Sequence, residues 1–162
     1  MGSRAPEVHG RGQPADMEIT EVRVKLVRGA QDKLCAFASI TLDHALVIRD
    51  IKIIAGNDGL FVAMPSRKLM DRCRQCGGKN YVRARHCNEC GARLGRERAG
   101  TDERGRPRLY SDIAHPIHQK ARDLFQEAIL AAYRSELEAS RKEGYVAKEI
   151  EGMDYGAWAA EG

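Results

Sequence analysis

No apolar run in this 162-residue chain approaches the 18 or so residues that a membrane-spanning helix needs. The first sixteen residues, MGSRAPEVHGRGQPAD, lack the apolar centre of a secretory leader and are rich in Gly, Pro and charge. Such a composition is expected to stay disordered. Without a leader the chain is expected in the cytoplasm, where thiols persist and disulfides do not. The sequence has no G-x4-G-K-[S/T] phosphate loop and no βαβ pattern, and no serine or free cysteine stands in a nucleophile context. His44, His115 and His118 are the candidate acid–base groups, and plainer roles suit them. Asp43-His44 suits a hydrogen-bonded turn, and His115-Pro116 a packed or capping corner. These absences turn expectation away from an enzyme.

Cysteine is what the chain has in a pattern. Cys73, Cys76, Cys87 and Cys90 form C-x2-C-x10-C-x2-C, and a glycine follows each pair at Gly77 and Gly91. A structural zinc ion takes four thiolates tetrahedrally, and two tight turns can present two each. Glycine after the second cysteine lets backbone approach sulfur. Ten intervening residues suffice for a short hairpin that brings the turns face to face. The competing reading, a disulfide pair or redox motif, fits poorly, because redox C-x-x-C motifs usually occur singly beside a βαβ unit. The expected cofactor is one structural Zn2+ per chain. His86 adjoins Cys87, but four sulfurs already complete the shell, and a closed shell leaves no position for water activation. Cys35 lies in an alternating apolar run and reads as a small core residue.

Charge is uneven. Residues 67–108 carry thirteen Lys and Arg against five Asp and Glu, a net of +8, so a chain that is +4 overall nets −4 elsewhere. Either this is an arginine-rich solvated loop or it is a surface for polyanions. Arg67 and Lys68 stand beside the cysteine segment, and Arg72, Arg74, Lys79, Arg83, Arg85 and Arg93 decorate it, with Tyr81 among them. Arginine pairs bidentately with phosphate, and tyrosine can stack on a base. These nine residues are the candidate nucleic-acid contacts.

Periodicity supplies the frame. Val22, Val24 and Leu26 alternate with charges, as do Leu34, Ala36, Ala38, Ile40 and Leu42 with Cys35, Phe37, Ser39 and Thr41. Residues 46–54 are rich in β-branched side chains. Asn57 and Asp58 between glycines predict a tight turn into a fourth strand, 60–64, that Pro65 stops. A fifth strand is expected at 109–114. From about His118 the period becomes helical, with Ala121, Leu124, Phe125, Ala128, Ile129, Ala132 and Tyr133 as the apolar stripe, reaching about Arg141 with Gly144 as the C-cap. The expected fold is α+β: a small antiparallel meander of four to five strands packed by one C-terminal helix, with a zinc ribbon inserted between the fourth and fifth strands. The organisation is then a disordered extension (1–16), a core (17–68 and 109–141), the ribbon and basic loop (69–108) and an acidic flexible tail (142–162). The ribbon is too small to bury a core, so metal is expected to supply its stability, about 10–16 kcal/mol in comparable zinc peptides.

Three stretches carry a resemblance: SITLDH (39–44) followed by 47–54, GLFVAMPSRK (59–68), and DIAHPI (112–117) running on to QEAILAAY (126–133). They closely resemble the stage V sporulation protein G (SpoVG) septation-protein family, over about 17–68 and 109–138. The resemblance implies a small bacterial cytoplasmic protein, a meander with a C-terminal helix, dimeric, linked to septation and developmental regulation, with some members binding DNA and RNA. The chain departs from the family where about forty residues with the four cysteines replace a short connection. The function expected is a nucleic-acid-binding regulator that grips DNA or RNA backbone through the basic ribbon. The alternative is an adaptor in cell-division septation whose ribbon docks a protein.

Overall fold

The computed structural model describes residues 17–28 and 33–150. The expected disordered extension, 1–16, and the end of the tail, 151–162, lie outside the described residues.

Four strands make the main sheet: β1 (Ile19–Leu26), β2 (Leu34–Leu42), β3 (Leu46–Gly56) and β4 (Gly59–Ala63). Each pairs antiparallel with the next, in the order β1-β2-β3-β4. The alternating pattern of β2 is realised as expected. Ala36, Ala38, Ile40 and Leu42 are buried, and the small alanines leave room for a helix to approach. Asp43 and His44 make the β2–β3 turn, both in the left-handed region (φ 50 and 52), which Asp and His visit more readily than most residues. Asp43 Oδ1 accepts from the Glu18 N–H (2.9 Å), and the His44 N–H donates to Thr20 Oγ1 (3.1 Å). The pair is a hydrogen-bonded turn, tied to the start of β1.

β3 contains a phase change. Ile48 faces Ile40 and Ile51 faces Ala38, so Arg49 and Asp50 together oppose Ser39 in a bulge. Asp50 takes the left-handed conformation (φ 59). Strict alternation from Ile48 would put Asp50 and Lys52 in the core. The extra residue instead returns Ile51 and Ile53 to the apolar face, where both are fully buried.

The helix α1 (Gln119–Ala139) lies over that face, chiefly against β1. His118 caps it, Nδ1 accepting from the Ala121 N–H at 3.1 Å. Phe125, Ile129, Leu130 and Tyr133 enter the core. Two details differ from the sequence expectation. Leu124 is 43% exposed and Leu130 takes its place in the stripe. The helix stops at Ser140, whose N–H bonds back to the Glu136 carbonyl, while Gly144 (φ 78) serves the following turn.

The expected fifth strand exists but does not extend the meander. The chain leaves the four-stranded sheet at Pro65, and β5 (Ser66–Lys68) starts at once, pairing antiparallel with β8 (Tyr110–Asp112). Between them, β6 (Met70–Arg72) pairs with β7 (Lys79–Tyr81). Leu69 joins the two ribbons: its N–H donates to the Leu109 carbonyl (2.8 Å) and its carbonyl accepts from the Val82 N–H (3.1 Å). The stretch 66–72 is thus flanked along one side first by β8 and then by β7.

Residues 142–150, read from sequence as part of a flexible tail, have defined partners. Tyr145 donates to Glu136 Oε1 (2.5 Å), Lys148 pairs with the same carboxylate (3.5 Å), and Glu149 pairs with Lys25 (3.3 Å). These bonds satisfy Glu136, a carboxylate only 5% exposed on the helix. Ile150, 4% exposed, closes over Ser39 and Thr41 on the sheet face away from the helix.

Candidate metal centre and nucleic-acid interface

The four cysteines converge. Their sulfurs all lie within 4.8 Å of one another, with Cys73 and Cys90 at 3.8 Å and Cys76 and Cys87 at 3.5 Å. A tetrahedral ion at the ~2.3 Å usual for zinc–thiolate bonds would separate its sulfurs by ~3.8 Å, so the arrangement fits a four-sulfur ion. All four cysteines are free, and these two sulfur pairs stand well beyond the ~2.05 Å of a disulfide bond. His86 is outside the group, exposed, and bridged to Arg93 through backbone.

Two matching turns build the centre. The Gly77 N–H donates to the Cys73 carbonyl (2.9 Å) and the Gly91 N–H to the Cys87 carbonyl (3.0 Å). Both glycines sit in the left-handed region (φ 76 and 74), which explains their place after each pair. Backbone N–H groups then point at sulfur, Gln75 at Cys73 and Gly78 at Cys76, each at 3.4 Å. Asn80 is the orienting side chain. It is 3% exposed, donates to Cys87 Sγ (3.3 Å) and the Gly78 carbonyl (3.1 Å), and accepts from the Asn88 N–H (2.8 Å). Nothing in the spacing of cysteines names Asn80. Its signal is its position opposite Asp71 on β7, with its side chain directed to the sulfurs.

The sulfurs differ in acidity. Cys87 is drawn down to about 6, first by the Cys90 N–H and then by Asn80. Cys76 is pulled down by the Gly78 N–H, yet the neighbouring Cys87 and Cys90 thiols outweigh that bond, and it is raised to about 12. Four crowded thiols cannot all ionise together, and a divalent cation among them removes that conflict.

The nine candidate nucleic-acid residues are distributed around this centre. Arg67 and Lys68 are on β5, Arg72 on β6, Lys79 and Tyr81 on β7, Arg74 in the first cysteine turn, Arg83 and Arg85 between the turns, and Arg93 beyond the second. All eight cations are exposed, and among the described residues none of them makes an ion pair. The structure brings Lys68 over the Tyr81 ring (5.0 Å to its centroid) and places Arg72 opposite Lys79. Desolvation and then the neighbouring Tyr110 hydroxyl hold the Tyr81 phenol above its ordinary pKa.

Arg98 is the contrasting cation. It donates to Asp71 Oδ2 (2.6 Å) and to the carbonyls of Tyr81, Ala84 and Gly95 (3.0, 2.9 and 2.6 Å), pinning the basic loop to the ribbon. In sequence it is one arginine among thirteen basic residues, so its structural role was not visible there.

Comparison with known proteins decides the family. The SpoVG family model matches residues 17–135. The chain belongs to the SpoVG family. Among relatives called septation protein SpoVG, that of Anaeromyxobacter sp. (strain K) is 38% identical over 121 residues, covering 75% of this chain and 82% of the relative. That of Bdellovibrio bacteriovorus is 36% identical over 143 residues, covering 86% of this chain and 96% of its own. That of Bacillus mycoides is 36% identical over 117 residues, covering 72% and 82%. The α+β meander-plus-helix frame expected of a SpoVG protein is the one observed. No described helix is long and apolar enough to cross a membrane.

Proposed function

We propose that this SpoVG-family chain is a non-catalytic, cytoplasmic regulator, linked to septation and development, that binds nucleic-acid backbone through its four-cysteine ribbon. The observation that carries the reading is the set of eight exposed cations without acidic partners, on a module where Arg98 shows what a structurally used cation looks like. Protein cations that only solubilise are normally interspersed with acids, whereas an uncompensated patch is the footprint of a polyanion site. Zinc is the metal assigned to the four sulfurs, because a tetrahedral all-thiolate set favours zinc or iron, and zinc serves a closed structural site. The septation link comes from what the relatives are called. In this reading the core pairs as a homodimer and the two ribbons are arms that grip phosphates.

The test is fluorescence anisotropy of labelled DNA and RNA, with intact protein across a salt series. If six cations meet duplex phosphates, log K falls against log salt with a slope of about −5. The variant Cys73→Ser/Cys76→Ser should lose this binding. Retention by the variant would move the site to the sheet and helix. Absence of binding at low salt would overturn the reading and favour the adaptor, whose packed interface would persist in salt.

A further inference from the structure

The two short ribbons share one face. Residues directly opposite in an antiparallel pair project to the same side, as do residues two apart along a strand. Lys68 pairs with Tyr110, Met70 with Tyr81, and Arg72 with Lys79. The strand residues 68, 70 and 72 therefore form one row. Because Leu69 holds β8 and β7 against the same side of its strand, Tyr110, Tyr81 and Lys79 form the facing row. Lys68 resting over Tyr81 confirms that the two ribbons present a common face. The opposite face of the β6–β7 ribbon points inward, since Asn80 is buried against the sulfurs.

What this face exposes is unusual for surface that merely contacts water. Tyr110 is 55% exposed and Met70 50% exposed, side by side with three cations. Among the described residues none of Lys68, Arg72 and Lys79 has an acidic partner. Flat aromatic area next to positive charge that no acid neutralises, Arg72 donating to the Gly77 carbonyl (3.2 Å) and Lys68 lying over the Tyr81 ring, is the chemistry of a base-stacking platform, because every base has a π-face and every nucleotide a phosphate. Spacing selects the form of ligand. Tyr81 and Tyr110 oppose strand positions two residues apart, ~7 Å along the backbone, and their hydroxyls lean toward each other. A duplex strand advances ~3.4 Å per nucleotide, with both base faces already occupied. Only an unpaired strand, whose bases have a free face, can stack bases on the two rings.

The geometry points to a single-strand site at the junction of ribbon and core, with Tyr110 and Tyr81 stacking two unpaired bases and Lys68, Arg72 and Lys79 holding the adjoining phosphates. This rests on the proposed nucleic-acid binding and narrows it to single-stranded RNA or DNA. Tyr110 is the open ring and takes the first base. Tyr81 becomes available as Lys68 leaves its ring for a phosphate. Tyr110 stands outside the sequence-expected contacts, and its signal is its register opposite Lys68.

The experiment measures anisotropy with the full, metal-loaded chain and three labelled probes of one length: a single strand, its duplex, and a strand of abasic sites that keeps the phosphates and removes the bases. Wild type, Tyr110→Ala and Tyr110→Phe are compared, with circular dichroism and metal content as controls for folding. The single strand should bind wild type at least about tenfold tighter than the duplex. Tyr110→Ala should lower single-strand affinity about 5- to 150-fold, the equivalent of ~1–3 kcal/mol per stacked base, and leave the abasic strand unchanged. Tyr110→Phe should stay within about twofold of wild type, since the ring and not the hydroxyl stacks. Salt-sensitive binding that Tyr110→Ala leaves intact, or that falls equally on the abasic strand, overturns the platform while the backbone-binding reading stands. Absence of binding to all three probes overturns both.

Discussion

The sheet–helix core and the cysteine ribbon are two solutions to the same problem, met with different materials. The core fully buries Ile40, Ile51, Ile53 and Ile129, and its stability comes from apolar area removed from water. In the ribbon the buried residues are Cys73, Val82, Cys87 and Asn80. Its order rests on sulfurs, on N–H groups aimed at them, and on Arg98. A module of this kind spends almost none of its surface on an interior. Its outward side chains are thereby free to be charged, which an area-driven fold of the same length could not allow.

The sharpest way to break this comparison is to remove the ion proposed for the four sulfurs. Chelation, or Cys87→Ser, should unfold the ribbon, with loss of about 10–16 kcal/mol of apparent binding free energy for a structural zinc site. Amide resonances of 70–94 should collapse while those of β1–β4 and α1 persist. Core resonances that collapse as well would show that the two regions are one cooperative unit. The reciprocal change is Ile129→Ala, a cavity beneath the helix that should cost about 2–5 kcal/mol, read as a lower urea midpoint. Metal stoichiometry should be unaltered in that variant at low urea.

Smaller effects sharpen the boundary. Arg98→Ala removes a half-buried guanidinium bonded to Asp71 and three carbonyls, and should cost about 1.5–3 kcal/mol within the ribbon. Limited proteolysis should then cut within 95–108 while the core stays resistant. The smallest effect is expected at the tail. Tyr145→Phe deletes the hydrogen bond to Glu136, worth about 1 kcal/mol, and should speed amide exchange over 145–150. The same contact gives a pH dependence. Hydrogen bonding to Glu136, then desolvation, raises the Tyr145 phenol above its ordinary 10. Its stabilisation is complete below pH 10 and is lost as pH rises through the higher folded value, where phenolate would face carboxylate. Tail protection that persists after the Tyr145 phenol itself has ionised, followed by its ultraviolet absorbance, would contradict the assignment.

What could be read in the sequence was what repeats locally. Strand β2 and the Asp43-His44 turn were legible because alternation and turn chemistry act within a few residues. The cysteine centre was legible because its spacing encodes two identical turns. Other features depended on distant partners. The β5–β8 pairing joins segments separated by the whole insertion, and the apolar pattern of three-residue strands carries no register. The bulge at Arg49-Asp50 left a trace, the slip from Ile48 to Ile51, that a strict period-2 reading passes over. Nothing near Glu136 in sequence marks it for burial, which follows from Tyr145 and Lys148 folding back onto it. Of the proposed interface, the eight cations and Tyr81 lie around the ribbon, while Tyr110, like Asn80 beside the sulfurs, needed the pairing register to be seen.

The pairing of β5 with β8 closes the mouth of the insertion before the first cysteine is reached. To the core, everything from Leu69 to Leu109 is therefore the far end of a hairpin, whatever its length or content. Loop-closure cost rises only slowly with length, and it is met at a neck already zipped. The neck works like the chuck of a drill: the body grips three residues on each side, and the tool it holds can be exchanged. A SpoVG scaffold built this way could accept a different module at the same point, and this four-cysteine ribbon could be moved to another two-stranded neck with its fold intact.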